Sequence, residues 1–190
     1  MTTFKDPLVV GKSIPRAEDE YLLRGQGQYT DDVNLPGQVY AYILRSSIAH
    51  GVIRSIDTTA ARKTTGVLDI YTSDNLATAG YGPLPCNVIL KNRDGSDLRK
   101  PDNYAFAVDR VRYVGQPVAA IIAETIDQAR DAAEAVKLEI DILDAVDDVE
   151  AAARDDAPQI WPEASGNLCL DFENGDQAAV EAAFSNAAHI

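Results

Sequence analysis

Residues Arg110 to Leu143, RVRYVGQPVAAIIAETIDQARDAAEAVKLEIDIL, constrain the fold more tightly than any other stretch of the chain. Val118 to Ala123 form an unbroken apolar run, which predicts a strand buried on both faces. Thr125 and Gln128 stand in capping-box spacing and mark a helix start. Ile126, Ala129, Ala133 and Val136 then recur at helical spacing, while Asp127, Arg130, Asp131 and Glu134 fall mainly on the other side. The helix therefore offers a narrow stripe rich in alanine, whose small side chains allow close approach to a strand. Beyond it, Val136, Leu138, Ile140 and Ile142 alternate with Lys137, Glu139 and Asp141, the period of a strand with one wet face. Gly115-Gln116-Pro117, with no helix start directly after it, reads as the bend that launches the first strand.

With 190 residues, the chain is long enough for one sizeable core, or for a core with an appendage. Its 30 acidic and 17 basic residues give a formal net charge of -13, which disfavours non-specific nucleic-acid binding and adsorption to anionic membranes. The acidic pairs Asp31-Asp32, Asp147-Asp148 and Asp155-Asp156 read as solvated surface, because no His or further carboxylate falls at ligand spacing nearby. Cys86 and Cys169 lie outside any CxxC arrangement, so neither a zinc ribbon nor an iron–sulfur motif is available, and a disulfide between them stays open on sequence alone. No signal-peptide pattern or membrane-length apolar run is present, which gives the expectation of a cytoplasmic protein with free thiols and no membrane insertion.

In chain order, Met1 to Pro15 reads as an extended lead-in, and Ala17 to Leu23 as a short helix ended by Gly25. Gly25-Gln26-Gly27 is a turn rather than a nucleotide loop, since Tyr29-Thr30-Asp31-Asp32 follows where a helix should receive phosphate. The Asn34-Leu35-Pro36-Gly37 turn introduces a strand from Gln38 to Arg45, and a second strand is expected from Val52 to Ile56. Between them, Ser46, Ser47 and His50 lack an oxyanion-hole pattern, so a loop is favoured over a hydrolytic nucleophile and base. Asp57 or Thr58 caps a short helix through Lys63 that Gly66 ends; a strand spans Val67 to Tyr71, and Ser73 caps another helical turn.

From Gly80 to Asn103 the pattern dissolves into a long loop, in which Val88 to Leu90 is strand-like and Asp94-Gly95 is a hairpin turn. A short acidic helix over Ala145 to Ala153, a linker from Pro158 to Gly166 holding the only tryptophan, and an edge strand from Leu168 to Phe172 follow. Asp176 then caps a helix whose Val180, Ala183, Phe184 and Ala187 share a face, which needs either the core or a partner segment to cover it.

Two blocks together resemble a known family. The first runs from Pro15-Arg16-Ala17-Glu18-Asp19 through Leu23-Arg24-Gly25-Gln26-Gly27-Gln28-Tyr29-Thr30-Asp31-Asp32 and Leu35-Pro36-Gly37 to Arg45-Ser46, Ala49-His50 and Ser55-Ile56-Asp57. The second is Arg110-Val111-Arg112-Tyr113-Val114-Gly115-Gln116-Pro117-Val118-Ala119. In this order they resemble the opening of the molybdenum-binding large subunit of the xanthine dehydrogenase, aldehyde oxidase and aerobic carbon monoxide dehydrogenase family. Gly175-Asp176 and Ala183-Phe184 to His189 extend the resemblance to nearly the whole chain. One departure is Ser47-Ile48-Ala49-His50-Gly51, where the family commonly continues with Pro, His, Ala, His, Ala.

The resemblance implies an α+β (mixed α/β) fold: an α/β-hammerhead domain over residues 1–145, then a linker and the beginning of the molybdopterin-binding domain over 146–190. It implies a parent enzyme that oxidises a carbon centre or carbon monoxide at molybdenum held by a pterin dinucleotide. Oxygen would come from water, and electrons would pass to iron–sulfur clusters and FAD on partner subunits or domains. The family's catalytic glutamate and pterin loops match positions beyond this sequence, so no catalytic, cofactor-binding or metal residue is carried onto it. The expected partners are the remainder of the large subunit and the iron–sulfur and FAD subunits. The competing expectation is a stand-alone protein-binding or assembly module without redox chemistry.

Overall fold

The structure is a computed structural model that describes residues 11–189. Of the expected lead-in, residues 1–10 lie outside the described residues. The chain divides into two compact units, Met1–Gln38 and Val39–Ile190. In the first, helix α1 spans Asp19–Leu23 and ends in a turn, where Gly25 takes φ +67° and Gln26 N–H donates to the Tyr21 carbonyl at 2.9 Å. That is the turn expected at Gly25-Gln26-Gly27, built with the residue that tolerates a left-handed backbone.

Among its described residues the second unit holds six strands: β1 Tyr40–Arg45, β2 Gly51–Asp57, β3 Val67–Thr72, β4 Arg110–Val111, β5 Pro117–Ala123 and β6 Lys137–Ile142. They form two antiparallel sheets, ordered β1-β5-β3 and β4-β2-β6. The odd-numbered strands thus make one sheet and the even-numbered strands the other, so each successive strand changes sheet. Both strand–helix–strand stretches seen in the sequence are bridges between sheets, and neither is a parallel crossover within one. The fold is mixed α/β, as the sequence predicts.

Helix α3, Ile126–Glu134, begins as its sequence dictates: Gln128 N–H donates to Thr125 Oγ1 at 3.2 Å, and Thr125 N–H donates to Gln128 Oε1 at 3.1 Å. Its Ala129, Ala132 and Ala133 are buried against Ala119, Ile121 and Ala123 of β5, together with Ile70 and Ala61. Ala132 belongs to the stripe, whereas Ile126 is only half-buried. Full burial of Ile70 and Ile121 stabilises by about 1.5–3 kcal/mol each. The opposite face of β5 is covered unevenly, with Val118 buried and Ala120 and Ile122 half-exposed, so the strand is not buried on both faces along its length. Val118 joins a second core with Ala107 and Val111, against which Ile53, Ile56, Leu138 and Ile140 pack. β5 therefore serves both cores.

Several local expectations shift. Asp57 does not cap the 3-10 turn Ala61–Lys63 but accepts from Thr59 N–H at 2.9 Å, an Asx turn. Helix α2, Ser73–Thr78, is entered one residue earlier than expected: Thr72 is the cap residue and its N–H donates to Asn75 Oδ1 at 2.8 Å. Helix α4 shortens to Val149–Ala152, capped by Asp148, whose Oδ1 accepts from Ala151 N–H at 2.7 Å. Val88 to Leu90 and Leu168 to Phe172 are not strands. Nothing packs over Ile89, which is 91% exposed. Leu168 to Phe172 instead lies along the long loop, held by Arg93 N–H to the Asp171 carbonyl at 2.8 Å and Arg99 N–H to the Cys169 carbonyl at 3.0 Å. These irregular bonds satisfy the backbone without a ladder. Helix α5, Gln177–Ser185, takes its cap from Asp176 as expected, but none of its residues is buried, so its apolar face is not packed on the core.

Candidate functional site

The polar cluster most enclosed by this fold lies where the two recognised sequence blocks meet. β1 ends in a register shift at Leu44/Arg45 beside the start of β5. There Ser46 N–H donates to the Gln116 carbonyl at 2.9 Å, Gly115 N–H donates to the Ser46 carbonyl at 2.7 Å, and Arg45 Nη1 donates to the Gly115 carbonyl at 2.9 Å. Gly115 takes φ +85°, a conformation that makes the reversal possible without a Cβ penalty. Gln116 is buried, and its Oε1 accepts from Arg112 N–H at 2.6 Å. The expected bend at Gly115-Gln116-Pro117 is thus a lock between Arg45-Ser46 and the strand it launches.

The hydroxyl of the adjacent loop is occupied by the loop itself, and its imidazole reaches the chain just beyond β6. Ser46 Oγ donates to the Ile48 carbonyl at 2.8 Å and accepts from Ile48 N–H at 3.0 Å. His50 is buried; its Nδ1 lies 2.7 Å from the Asp144 carbonyl, and since a carbonyl only accepts, Nδ1 holds the proton. Nε2 is buried with no hydrogen-bond partner among the described residues. The His50 carbonyl also accepts from Leu143 N–H at 2.9 Å, so this residue fastens the end of β6. No Ser–His hydrogen bond exists here, which removes the geometry of nucleophilic hydrolysis.

Arg112 joins the same region to the later part of the chain. Its guanidinium sits 4.2 Å from the centroid of the Trp161 ring and donates through Nη2 to Asp109 Oδ1 at 3.2 Å. Its side chain is 12% exposed, so the cation–π contact works in a partly desolvated setting. No sequence signal pairs a lone tryptophan with an arginine 49 positions away. The buried Gln116 side chain was equally hidden, since a glutamine in a Gly-Gln-Pro turn ordinarily faces water.

The other residues considered from sequence are dispersed. Asp32 accepts from Tyr29 N–H at 2.9 Å and Asp148 caps α4, both local backbone roles. Cys86 is exposed and Cys169 half-buried, and both are free thiols. Cys169 lines a polar cleft of about 250 Å³ with Arg93, Arg99 and Asp171. Neither guanidinium is spare: Arg93 pairs with Asp171 at 2.8 Å and Glu173 at 3.5 Å, which raises its pKa chiefly through the Asp171 hydrogen bond. Arg99 Nη1 donates to the Ser165 and Leu168 carbonyls at 3.0 Å each.

A molybdenum–pterin dinucleotide does not fit these residues. Among the described residues no group of three or more His, Cys, Asp or Glu converges as a metal site. The N-terminus of α3, where a phosphate would be held, is closed by its own Thr125 and Gln128, and those of α4 and α5 are closed by the anionic caps Asp148 and Asp176. No helix among the described residues is long and apolar enough to cross a membrane.

Residues 24–144 match the family described as aldehyde oxidase and xanthine dehydrogenase, a/b hammerhead domain. The chain is 35% identical to the nicotine 6-hydroxylase large subunit of Paenarthrobacter nicotinovorans, over 96% of this chain and 21% of that protein. It is 32% identical to the carbon monoxide dehydrogenase large chain of Hydrogenophaga pseudoflava, over 91% of this chain and 22% of that one. The reconstituted CO dehydrogenase from Oligotropha carboxidovorans superposes with a TM-score of 0.72 at 29% identity, covering 94% of this chain and 22% of that structure. The chain therefore spans about a fifth of the length of these relatives. The family match over residues 24–144, the related large subunits and the superposed structure agree: the chain belongs to the aldehyde oxidase and xanthine dehydrogenase hammerhead family.

Proposed function

We propose that this chain is the scaffold portion of the large subunit of a molybdenum-dependent oxidoreductase, and that it is not itself catalytic. The observation that carries this reading is the use to which its recognised motifs are put. Arg45, Ser46, His50, Gly115 and Gln116 bond to the backbone of their own loop and of neighbouring segments, with His50 Nε2 left without a partner among the described residues, and none converges on a space where a substrate could react. In this reading residues 1–145 are the hammerhead and residues 146–190 lead into the molybdopterin-binding domain. The parent enzyme oxidises a carbon centre or carbon monoxide with oxygen from water. Molybdenum bound to a pterin dinucleotide supplies that chemistry elsewhere in the large subunit, and iron–sulfur and FAD subunits carry the electrons away. The acidic surface and free thiols fit a cytoplasmic complex.

The test is made on the purified 190-residue chain from cells that make the molybdenum cofactor. The expected result is background molybdenum and no dye-linked oxidation of aldehydes, purines or carbon monoxide. Stoichiometric molybdenum with turnover would overturn the proposal.

A further inference from the structure

The first turn of α2 and the two ends of the long loop that follows it enclose a cleft of about 160 Å³. Its walls include Leu76, Tyr81, Tyr104, Phe106 and Val108, and its charged lining is the single carboxylate of Asp74, with no basic side chain. Asp74 is exposed to solvent, and its carboxylate enters no ion pair or side-chain hydrogen bond among the described residues. The Tyr104 hydroxyl donates to Asp102 Oδ2 at 3.5 Å. A cavity of about 150 Å³ admits a molecule the size of benzene, so this cleft holds a small organic group.

Three aromatic rings beside an unpaired carboxylate are complementary to one class of ligand. The ring faces carry the negative lobe of their quadrupole, and apolar walls favour a cation whose charge is spread over alkyl groups rather than a hydrated metal ion. We infer that this cleft binds a small alkylammonium ion, with Tyr81, Tyr104 and Phe106 around the alkyl groups and Asp74 as the counter-charge. Asp74, Tyr81, Tyr104 and Phe106 stand apart from the lock between β1 and β5, and the inference does not depend on the oxidoreductase reading.

The experiment is an amide NMR titration of the 190-residue chain with tetramethylammonium chloride, matched for ionic strength with sodium chloride. Neopentyl alcohol, a neutral molecule with the same four-branched centre and one added hydroxyl, is titrated in parallel. Saturable shifts at Ser73 to Gly82 and Tyr104 to Val108 are expected from the cation, with the alcohol binding at least about threefold more weakly. Asp74→Asn, which keeps the side-chain shape, is expected to weaken the cation by at least about threefold, and Tyr104→Leu likewise. Equal affinity for the alcohol, absence of saturable shifts, or undiminished binding to Asp74→Asn would each overturn the inference. If Tyr104→Leu disturbs the loop, the Asp74→Asn comparison decides alone.

Discussion

Gly51 has no side chain, and that absence lets β2 and β6 approach: a Cβ there would meet the Ile140 side chain and stand 2.7 Å from the Asp141 carbonyl oxygen. Backbone does not yield as a flexible side chain does, so Gly51→Ala is predicted to destabilise by about 1–3 kcal/mol. An unchanged urea midpoint would contradict this. On the other sheet, Arg62 reaches from the 3-10 turn to β3, with Nη1 2.5 Å from Asp69 Oδ1 and Nη2 donating to the Ile70 carbonyl. The Arg62 hydrogen bond, followed by the Ile70 N–H, holds the Asp69 pKa below its ordinary value. A carboxylate depressed in the folded state contributes stability above its unfolded pKa and loses it as pH falls through the folded pKa. Asp69 is 41% exposed, which discounts the pair, so Asp69→Asn should cost only about 0.5 kcal/mol at neutral pH. That cost should shrink as pH falls below about 4. Urea midpoints of both proteins from neutral to acid pH measure it, and a cost that stays constant on acidification would exclude the proposed linkage.

At the scale of elements, the alanine stripe of α3 is the most exacting contact. Ala133 is 4% exposed and faces β5, so Ala133→Asp puts an unpaired charge in a dry contact and should cost more than about 3 kcal/mol. A melting temperature equal to that of the parent chain would refute the packing described. This helix was legible in the sequence because its signals are local: Thr125 and Gln128 are three residues apart, and the stripe repeats every turn. The strands other than β4 were legible in the same way, through β-branched runs and period-two alternation. Their allocation to two sheets was not, because pairs such as Tyr42 with Ile121 or Ile53 with Ile140 join residues about 80 to 90 positions apart and leave no local trace. Two-residue β4 is too short to show a period, and Val88 to Leu90 has strand-forming residues but no neighbouring strand. Arg112 over Trp161 was hidden for the same reason. Trp161→Ala is predicted to speed hydrogen exchange in residues 159–171 while leaving α3 protected. Equal acceleration in both regions would show that the tryptophan supports the whole unit.

For the whole molecule, the polar residues that looked most like chemistry prove to be fasteners. The serine of the first block meets the Gly-Gln of the second as a junction between β1 and β5, the histidine fastens the end of β6, and the side chains of Ser46, His50 and Gln116 all bond to backbone. The cleft lined by Asp74 and three aromatic rings came from a loop whose folding could not be read from its residues. The proposed scaffold role requires a longer polypeptide that carries the redox centre. The direct measurement is capture of the native protein from its source cells with an antibody raised against this chain, followed by sizing and by analysis of molybdenum, iron and flavin. The scaffold reading predicts a polypeptide several times larger than 20.5 kDa that brings molybdenum, iron and flavin with it. A 20.5 kDa polypeptide free of molybdenum would contradict it and leave a stand-alone module.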